Sequence, residues 1–103
     1  MIQHIVMFKF KESANGKTKA ENLVEAKARI MALKDQIPQI QGMEVYFAAE
    51  GSAPTNYDYI LVSQFNSMEE LEIYQKHPAH VAFGKFVGEL REPDGRACMD
   101  YVL

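Results

Sequence analysis

The C-terminal half of the sequence places one tyrosine and two histidines, side chains suited to acid–base chemistry, within one short segment. Tyr74, His77 and His80 lie in an apolar helical pattern that Pro78 interrupts. Proline lacks an N–H and disfavours helical backbone in the residue before it, so one helix should end near Lys76 and a second should begin at Pro78. His77 should then be extended or act as a cap, and His80 should lie in the first turn of the second helix.

The predicted position of His80 suits a general base. The exposed N–H groups in the first turn of a helix carry partial positive charge, which disfavours imidazolium. A neutral imidazole is the form that a base needs at neutral pH. The same residue also allows a structural interpretation, in which its ring nitrogens bind a backbone carbonyl and hold the bend at Pro78.

The histidines and the cysteine do not form a metal-binding pattern. His77 and His80 are close in sequence, but Pro78 interrupts the helix between them and no carboxylate or third histidine lies nearby. A transition-metal site needs three or four ligands, so we predict neither a metal nor a cofactor. Cys98 is the single cysteine, which excludes an intrachain disulfide and favours a small strand residue.

Length and composition predict one globular domain spanning residues 1–103. The chain has 103 residues, 48% of them hydrophobic, and a formal net charge of -3. No cluster of lysines or arginines is evident, so binding to nucleic acid or to an anionic membrane is not expected. No apolar run approaches the roughly 18–20 residues of a membrane span, and no signal peptide is recognisable, so we expect a cytoplasmic protein.

The hydrophobic pattern predicts the elements that position these side chains. Alternation indicates strands, and apolar residues at spacings of three and four indicate helices. Asn15-Gly16 lies in a predicted loop, Ser67 and Glu70 form a capping box before a helix, and Glu92-Pro93-Asp94-Gly95 is a turn signal. The predicted elements are strands at 2–11, 43–49, 57–65 and 95–103, one helix over 23–37, and the helix pair on either side of Pro78.

The order β-α-β-β-α-β is the split βαβ, or ferredoxin-like, arrangement, an α+β fold with a four-stranded antiparallel sheet and both helices on one face. In the first strand, His4 shares its face with Val6 and Phe8, so it should point towards the same interior as Tyr74 and His80. The opposite face carries the apolar Ile5 and Met7. Since that face would otherwise meet water, we expect a homodimer that forms through the sheet face.

The chain resembles the stress-responsive dimeric A/B barrel family, known as Dabb, over nearly its whole length. The most specific parts are the opening residues 3–11 and the segment 57–84, especially His77-Pro78-Ala79-His80-Val81 followed by Phe83-Gly84. The resemblance implies a ferredoxin-like fold whose sheets pair into a dimeric α+β barrel.

The resemblance also implies site residues. One family member is a polyketide cyclase that performs a cofactor-free aldol condensation, with a histidine base in the His-Pro-Ala-His segment and a tyrosine before it that helps to position the substrate. Carried over to this sequence, the base is His80 and the tyrosine is Tyr74, and the histidine of the first strand is His4. The cyclase has a further histidine where this chain has Tyr59, so the resemblance does not imply the same substrate here.

These observations favour a protein that binds a small apolar, aromatic or carbonyl ligand between sheet and helices. The catalytic candidates are His80 and Tyr74, and the ligand-binding candidates are His4, Tyr59 and His77. Whether the protein is an enzyme stays open: a cofactor-free cyclase, isomerase or lyase would use His80 to remove a proton next to a carbonyl. The alternatives are a cofactor-free monooxygenase of the dimeric α+β barrel type and a non-catalytic stress-associated dimer.

Overall fold

The computed structural model describes residues 1–103 and contains one four-stranded antiparallel sheet with its helices packed on one face. This α+β, ferredoxin-like architecture is the predicted one. In chain order the elements are strand β1 (Ile2–Phe10), the short strands β2 (Ser13–Ala14) and β3 (Lys17–Thr18), helix α1 (Lys19–Ala32) with a 3-10 turn at Leu33–Asp35, strands β4 (Gly42–Phe47) and β5 (Tyr59–Phe65), helices α2 (Met68–Lys76) and α3 (Pro78–Leu90), and strand β6 (Arg91–Val102).

Strand β1 lies in the middle of the sheet, which has the order β4-β5-β1-β6. Burial alternates along β1, as it must when one face of a strand meets the core. His4 is on the buried face and is only 2% exposed. The same face of β5 carries Tyr59 and Leu61, so the first and third predicted strands contribute one continuous layer under the helices.

The junction between α2 and α3 forms as the sequence predicts. The hydroxyl of Ser67 accepts the backbone N–H of Glu70 at the start of α2, although the Glu70 side chain makes no return bond. His77 is extended, with φ -61° and ψ 134°, and its Nδ1 accepts the backbone N–H of Ala79 at 3.1 Å. It is therefore both the C-terminal cap of α2 and the N-terminal cap of α3, which begins at Pro78.

The predicted loop that contains Asn15-Gly16 is a short hairpin. Asn15 and Gly16 form its turn between β2 and β3, with φ of 53° and 75°. Positive φ at both central residues matches the twist of a two-residue hairpin, and asparagine and glycine adopt it readily. The hairpin leads directly into α1, whose first turn is capped by Thr18 and Glu21 in a reciprocal capping box.

The predicted turn at residues 92–95 is the first part of strand β6. Proline is tolerated there because β6 is an edge strand, where a missing N–H leaves no unpaired partner. Gly95 permits close approach to β1: a Cβ at this position would lie 2.6 Å from the carbonyl oxygen of Lys9. The pairing of the two strands shifts register at this point, between Phe8 and Phe10.

The face of the sheet opposite the helices, which we call the open sheet face, is largely apolar. Ile5 pairs with Val62 on one side and with Met99 on the other. Met99 is 64% exposed. No helix in the structure combines the length and the apolar character that a membrane span requires. The open sheet face comprises Gln3, Ile5, Met7, Gly42, Glu44, Tyr46, Ile60, Val62, Gln64, Ala97, Met99 and Tyr101.

Candidate active site

The break between α2 and α3 brings Tyr74 and His80 into contact. Tyr74 lies in the last turn of α2, and His80 lies in the first turn of α3. The extended backbone at His77 changes the chain direction between them, so the two rings meet with their centroids 4.4 Å apart. The pair predicted to act together therefore forms one contact, and Pro78 is the local reason for it.

The hydrogen bonding of His80 fixes its tautomer. Its Nδ1 lies 3.1 Å from the backbone carbonyl oxygen of Gln75. A carbonyl only accepts, so Nδ1 carries the proton and Nε2 carries the lone pair. The structural interpretation and the catalytic one are therefore compatible, because the nitrogen that ties the helix start leaves the other nitrogen free to act as a base.

Burial lowers the pKa of His80 below its ordinary value of 6.5. The charges of His4, Arg96 and His77 act in the same direction, and the bond to the Gln75 carbonyl opposes them. The direction agrees with the expectation of a neutral ring, but the main cause is removal from water rather than the helix terminus. His80 is consequently a neutral imidazole at neutral pH.

Tyr74 has a buried hydroxyl without a hydrogen-bond partner. Its ring also packs against Phe65, with centroids 4.8 Å apart. Burial raises the pKa of Tyr74, so it remains a phenol that can donate a proton or a hydrogen bond. Buried polar groups almost always have partners, and an unpaired one costs about 1–3 kcal/mol. The hydroxyl is therefore available to a ligand or a water molecule.

His4 completes a row of three rings and is held by an acidic residue. Its ring lies edge-on to Tyr74, with centroids 6.4 Å apart. Nδ1 of His4 is hydrogen-bonded to the carboxylate of Asp100, the residue opposite it on β6. Since a carboxylate accepts, Nδ1 of His4 carries the proton of this hydrogen bond. The Asp100 contact was not predicted, because its partners are 96 positions apart in sequence.

These rings border a cavity of about 140 Å³ between β1, the two C-terminal helices and β6. Two arginines, Arg91 and Arg96, also line it and were not identified from the sequence. The sequence pattern that could have identified Arg96 is the alternation in β6, because it places this residue on the same side of the sheet as His4. The cavity is lined by His4, Val6, Phe8, Leu61, Tyr74, Gln75, His80, Phe83, Gly84, Val87, Arg91 and Arg96.

Two of the predicted ligand-binding residues lie outside this cavity. Tyr59 is at the other end of the sheet, where its hydroxyl donates to the carbonyl of Ala26 in α1 at 3.3 Å and its ring stacks on Phe10. His77 uses Nδ1 to cap α3. The expectation of one pocket lined by His4, Tyr59, Tyr74 and His80 therefore needs correction, because strand β5 carries Tyr59 under α1 rather than under the helix junction.

A larger, open groove of about 720 Å³ lies beside α1 and α3, but its lining is less suited to acid–base catalysis. Three of its five charged residues already pair with one another: Glu25 binds Lys17 at 2.9 Å and Arg29 at 2.6 Å. Arg29 also lies over the ring of Phe86, 3.8 Å from its centroid. The smaller cavity has the unpartnered polar groups, and we take it as the candidate active site.

His4, Cys98 and Asp100 are the residues that could hold a metal. One donor atom of each lies within 4.8 Å of the others, and the sulfur of Cys98 is 3.9 Å from Nδ1 of His4. No local sequence pattern indicates this cluster, since only the pairing of β1 with β6 assembles it. A metal would have to displace the hydrogen bond between His4 and Asp100, so we assign that pair to orienting the His4 ring.

Known proteins with similar sequences or structures agree on the fold. A stress-response A/B barrel domain-containing protein from Arabidopsis thaliana is 32% identical over 81 residues, which are 79% of this chain and 29% of that protein. The chain thus spans less than a third of that relative. A dimeric protein of unknown function with a ferredoxin-like fold from Bacteroides fragilis is 31% identical, with a TM-score of 0.84, and the match covers 99% of this chain and 95% of that one.

A hydroxynitrile lyase from Passiflora edulis is also structurally similar, with a TM-score of 0.78 over 99% of this chain and 92% of the lyase. Its identity is 14%, so the likeness shows the shared fold alone. The model of the stress responsive A/B barrel domain matches residues 2–103. With this match over almost every residue, the chain belongs to the stress responsive A/B barrel domain family.

Proposed function

We propose that the protein binds a small carbonyl compound in the cavity beside His80 and removes a proton from the carbon next to the carbonyl. The observation that carries the proposal is the buried, unpartnered hydroxyl of Tyr74, a residue whose ring is in contact with a neutral histidine. A hydrogen-bond donor with no partner beside a base with a free lone pair is the combination that enolate chemistry needs.

In the proposed reaction, Nε2 of His80 accepts the proton and the electron pair of the broken C–H bond moves onto the carbonyl oxygen. The phenol of Tyr74 donates a hydrogen bond to that oxygen as it becomes negative. The resulting enolate can attack a second carbonyl, be protonated at another carbon or expel a leaving group. These outcomes correspond to a cyclase, an isomerase and a lyase, and none of the three steps requires a cofactor.

The cavity limits the size of the ligand. Sites for drug-sized compounds usually measure about 300–1,000 Å³, whereas a cavity of roughly 150 Å³ holds a molecule such as benzene. The volume here, about 140 Å³, matches the smaller class. The ligand should therefore have the dimensions of a single six-membered ring or of a short acyl chain.

The proposal includes a cytoplasmic homodimer formed through the open sheet face. Its support is the apolar middle of that face and the similarity to a Bacteroides fragilis protein described as dimeric. Met99→Lys places a charge on this face and should convert the dimer to a monomer in analytical ultracentrifugation. Val24→Lys on α1 is the matched control, because Val24 is 63% exposed and Met99 is 64% exposed. Equal behaviour of both variants would exclude this interface.

The first test of the reaction is an NMR titration of the three histidines with small β-keto and aromatic compounds. We expect the His80 ring to titrate below 6.5 and its signals to shift when a compound binds. The same samples in D₂O report deuterium exchange at the carbon next to the carbonyl. We expect the protein to accelerate this exchange over buffer alone.

The other function classes give different results in the same samples. Uptake of oxygen with an electron-rich aromatic compound would indicate a monooxygenase. If no compound shifts His80, and its substitution changes only the melting temperature, the histidine serves packing and the protein is a non-catalytic dimer. His77→Gln is the control for helix capping, since it removes the α3 cap without altering a cavity residue.

A further inference from the structure

The two arginines at the cavity are not paired with carboxylates. Neither Arg91 nor Arg96 takes part in any ion pair of the structure. Nη1 of Arg91 donates to the backbone carbonyls of Glu92 and Pro93, at 3.2 and 3.0 Å, which fixes the position of the guanidinium without neutralising it. Both side chains start on β6, at one edge of the cavity.

The rest of the lining does not supply a negative charge. Its members are apolar, uncharged polar or histidine residues, and no aspartate or glutamate lines the cavity. Asp100, which contacts His4 from β6, lies outside the lining and is hydrogen-bonded to that ring. In a chain whose formal net charge is -3, the cavity is therefore a local concentration of positive charge.

Two guanidinium groups beside a small cavity are suited to binding a carboxylate group of a ligand. Arginine presents a planar set of N–H donors that matches the two oxygens of a carboxylate, and such charge-assisted bonds are about twice as strong as neutral ones. Arg91 is half-buried and Arg96 is exposed, so dissolved salt should weaken this attraction.

We propose that the ligand is an oxo acid, a small carbonyl compound whose carboxylate binds Arg91 and Arg96 while its carbonyl group meets Tyr74 and His80. This inference rests on the proposed function and adds the substrate class to it. The arginines hold one end of the molecule, and the base and the phenol act on the other. Arg91 and Arg96 are positioning residues, because the reacting carbon is at the opposite end of the ligand.

The test compares two compounds of nearly equal shape, 4-oxopentanoate and hexane-2,5-dione. A methyl group of the dione replaces one carboxylate oxygen of the acid, and both molecules retain a carbonyl. Binding is followed by the NMR shifts of His80. We expect the acid to bind at least about tenfold more tightly than the dione, and added NaCl to reduce this ratio because it screens the arginines.

Variants separate the arginines from other causes of the preference. Arg96→Gln should reduce the ratio several-fold, and Arg91→Gln combined with Arg96→Gln should bring it close to one. Arg96→Lys keeps the charge but loses the planar donor set, so an intermediate ratio is expected. Lys85→Gln removes an exposed positive charge outside the cavity lining and should leave the ratio unchanged. Melting curves of each variant verify that it is folded.

The outcomes distinguish this inference from the proposed function. If the dione binds and shifts His80 as strongly as the acid does, the carbonyl site stands and the oxo-acid inference is wrong. A preference that persists in the double arginine variant also overturns the inference. If neither compound shifts His80 at any concentration, the proposed function fails and the substrate class fails with it.

Discussion

Two buried tyrosines at opposite ends of one sheet show how differently the same side chain is used. Tyr59 on β5 stacks on Phe10 and donates its hydroxyl to a carbonyl of α1. Tyr74 on α2 packs against Phe65 and His80 and is among the residues that line the cavity, but its hydroxyl has no partner. Burial raises the pKa of both phenols. The hydrogen bond therefore distinguishes the two sites, and the degree of burial does not.

We call these regions the packed half, around Tyr59 and α1, and the cavity half, around Tyr74, His80 and β6. The packed half follows the ordinary rule that buried polar groups are satisfied by the protein itself. The cavity half departs from that rule, and all three histidines of the chain lie in this half. Local departures from good packing are expected at functional sites, because a ligand must supply what the fold leaves out.

The largest expected difference between the halves concerns catalysis. His80→Gln should lower the deuterium exchange of a bound carbonyl compound by about 10²–10⁴-fold, since it removes the general base. Tyr59→Phe, the control in the packed half, should leave the exchange rate unchanged. Both rates are measured by NMR in D₂O. An equal loss in the two variants would mean that the effect comes from stability and that the halves do not differ in function.

A substitution in β6 tests how far the cavity half depends on the edge strand. Gly95→Ala would place a Cβ 2.6 Å from the Lys9 carbonyl oxygen, so we expect the free energy of unfolding to fall by about 1–3 kcal/mol. Gly88→Ala on α3 meets no atom within 4 Å and should raise it by about 0.5–1 kcal/mol, because alanine favours helix. Urea denaturation measures both.

Hydrogen exchange in the Gly95→Ala variant then locates the damage. Protection should decrease in β6 and in the neighbouring part of β1, while α1 and β4 keep theirs. A uniform loss of protection would show that the two halves unfold as one unit.

Removing each tyrosine hydroxyl should have opposite effects on stability. Tyr59→Phe loses the bond to the Ala26 carbonyl and should reduce the free energy of unfolding by about 1 kcal/mol. Tyr74→Phe removes an unpartnered buried hydroxyl and should raise it by about 1 kcal/mol while weakening ligand binding. Chemical denaturation without ligand checks the sign. A loss for Tyr74→Phe as large as that for Tyr59→Phe would mean that its hydroxyl has a protein partner in solution.

The smallest expected effect is a pH dependence that originates in the cavity half. Burial lowers the pKa of His80 in the folded state, so between that value and 6.5 the unfolded chain binds a proton that the folded chain does not. The free energy of unfolding should therefore decrease as the pH falls below about 6.5. The pKa of His80 is also lowered by the charges of three neighbours: His4 on β1, Arg96 on β6 and His77 at the start of α3.

The measurement is a series of denaturation curves between about pH 7 and pH 5. His80→Gln should flatten the dependence relative to the unsubstituted protein. His77→Gln is the comparison variant, because its ring lies outside the cavity and caps α3 instead. If the two variants flatten the curve equally, the acid sensitivity does not belong to the cavity.

The sequence predicted the fold well because its signals are local and mutually consistent. Alternation in β1, the serine cap before α2 and the proline at the start of α3 each determine an element without help from the rest of the chain. The turn prediction at residues 92–95 was wrong, because tertiary context outweighed the local signal. Pro93 and Gly95 signal a turn, but an edge strand beside Lys9 accommodates both.

The candidate site, like the fold, has features that the sequence predicted and features that only the tertiary structure revealed. By itself, the sequence determined that Tyr74 and His80 flank a helix break and that His4 faces the interior, because proline geometry and strand alternation act over a few residues. Only the tertiary structure decided that Tyr59 belongs to the packed half and that Asp100, Arg91 and Arg96 join the cavity half. Those neighbours depend on strand register between segments about ninety residues apart, as in the pairing of His4 with Asp100, and no local pattern specifies it.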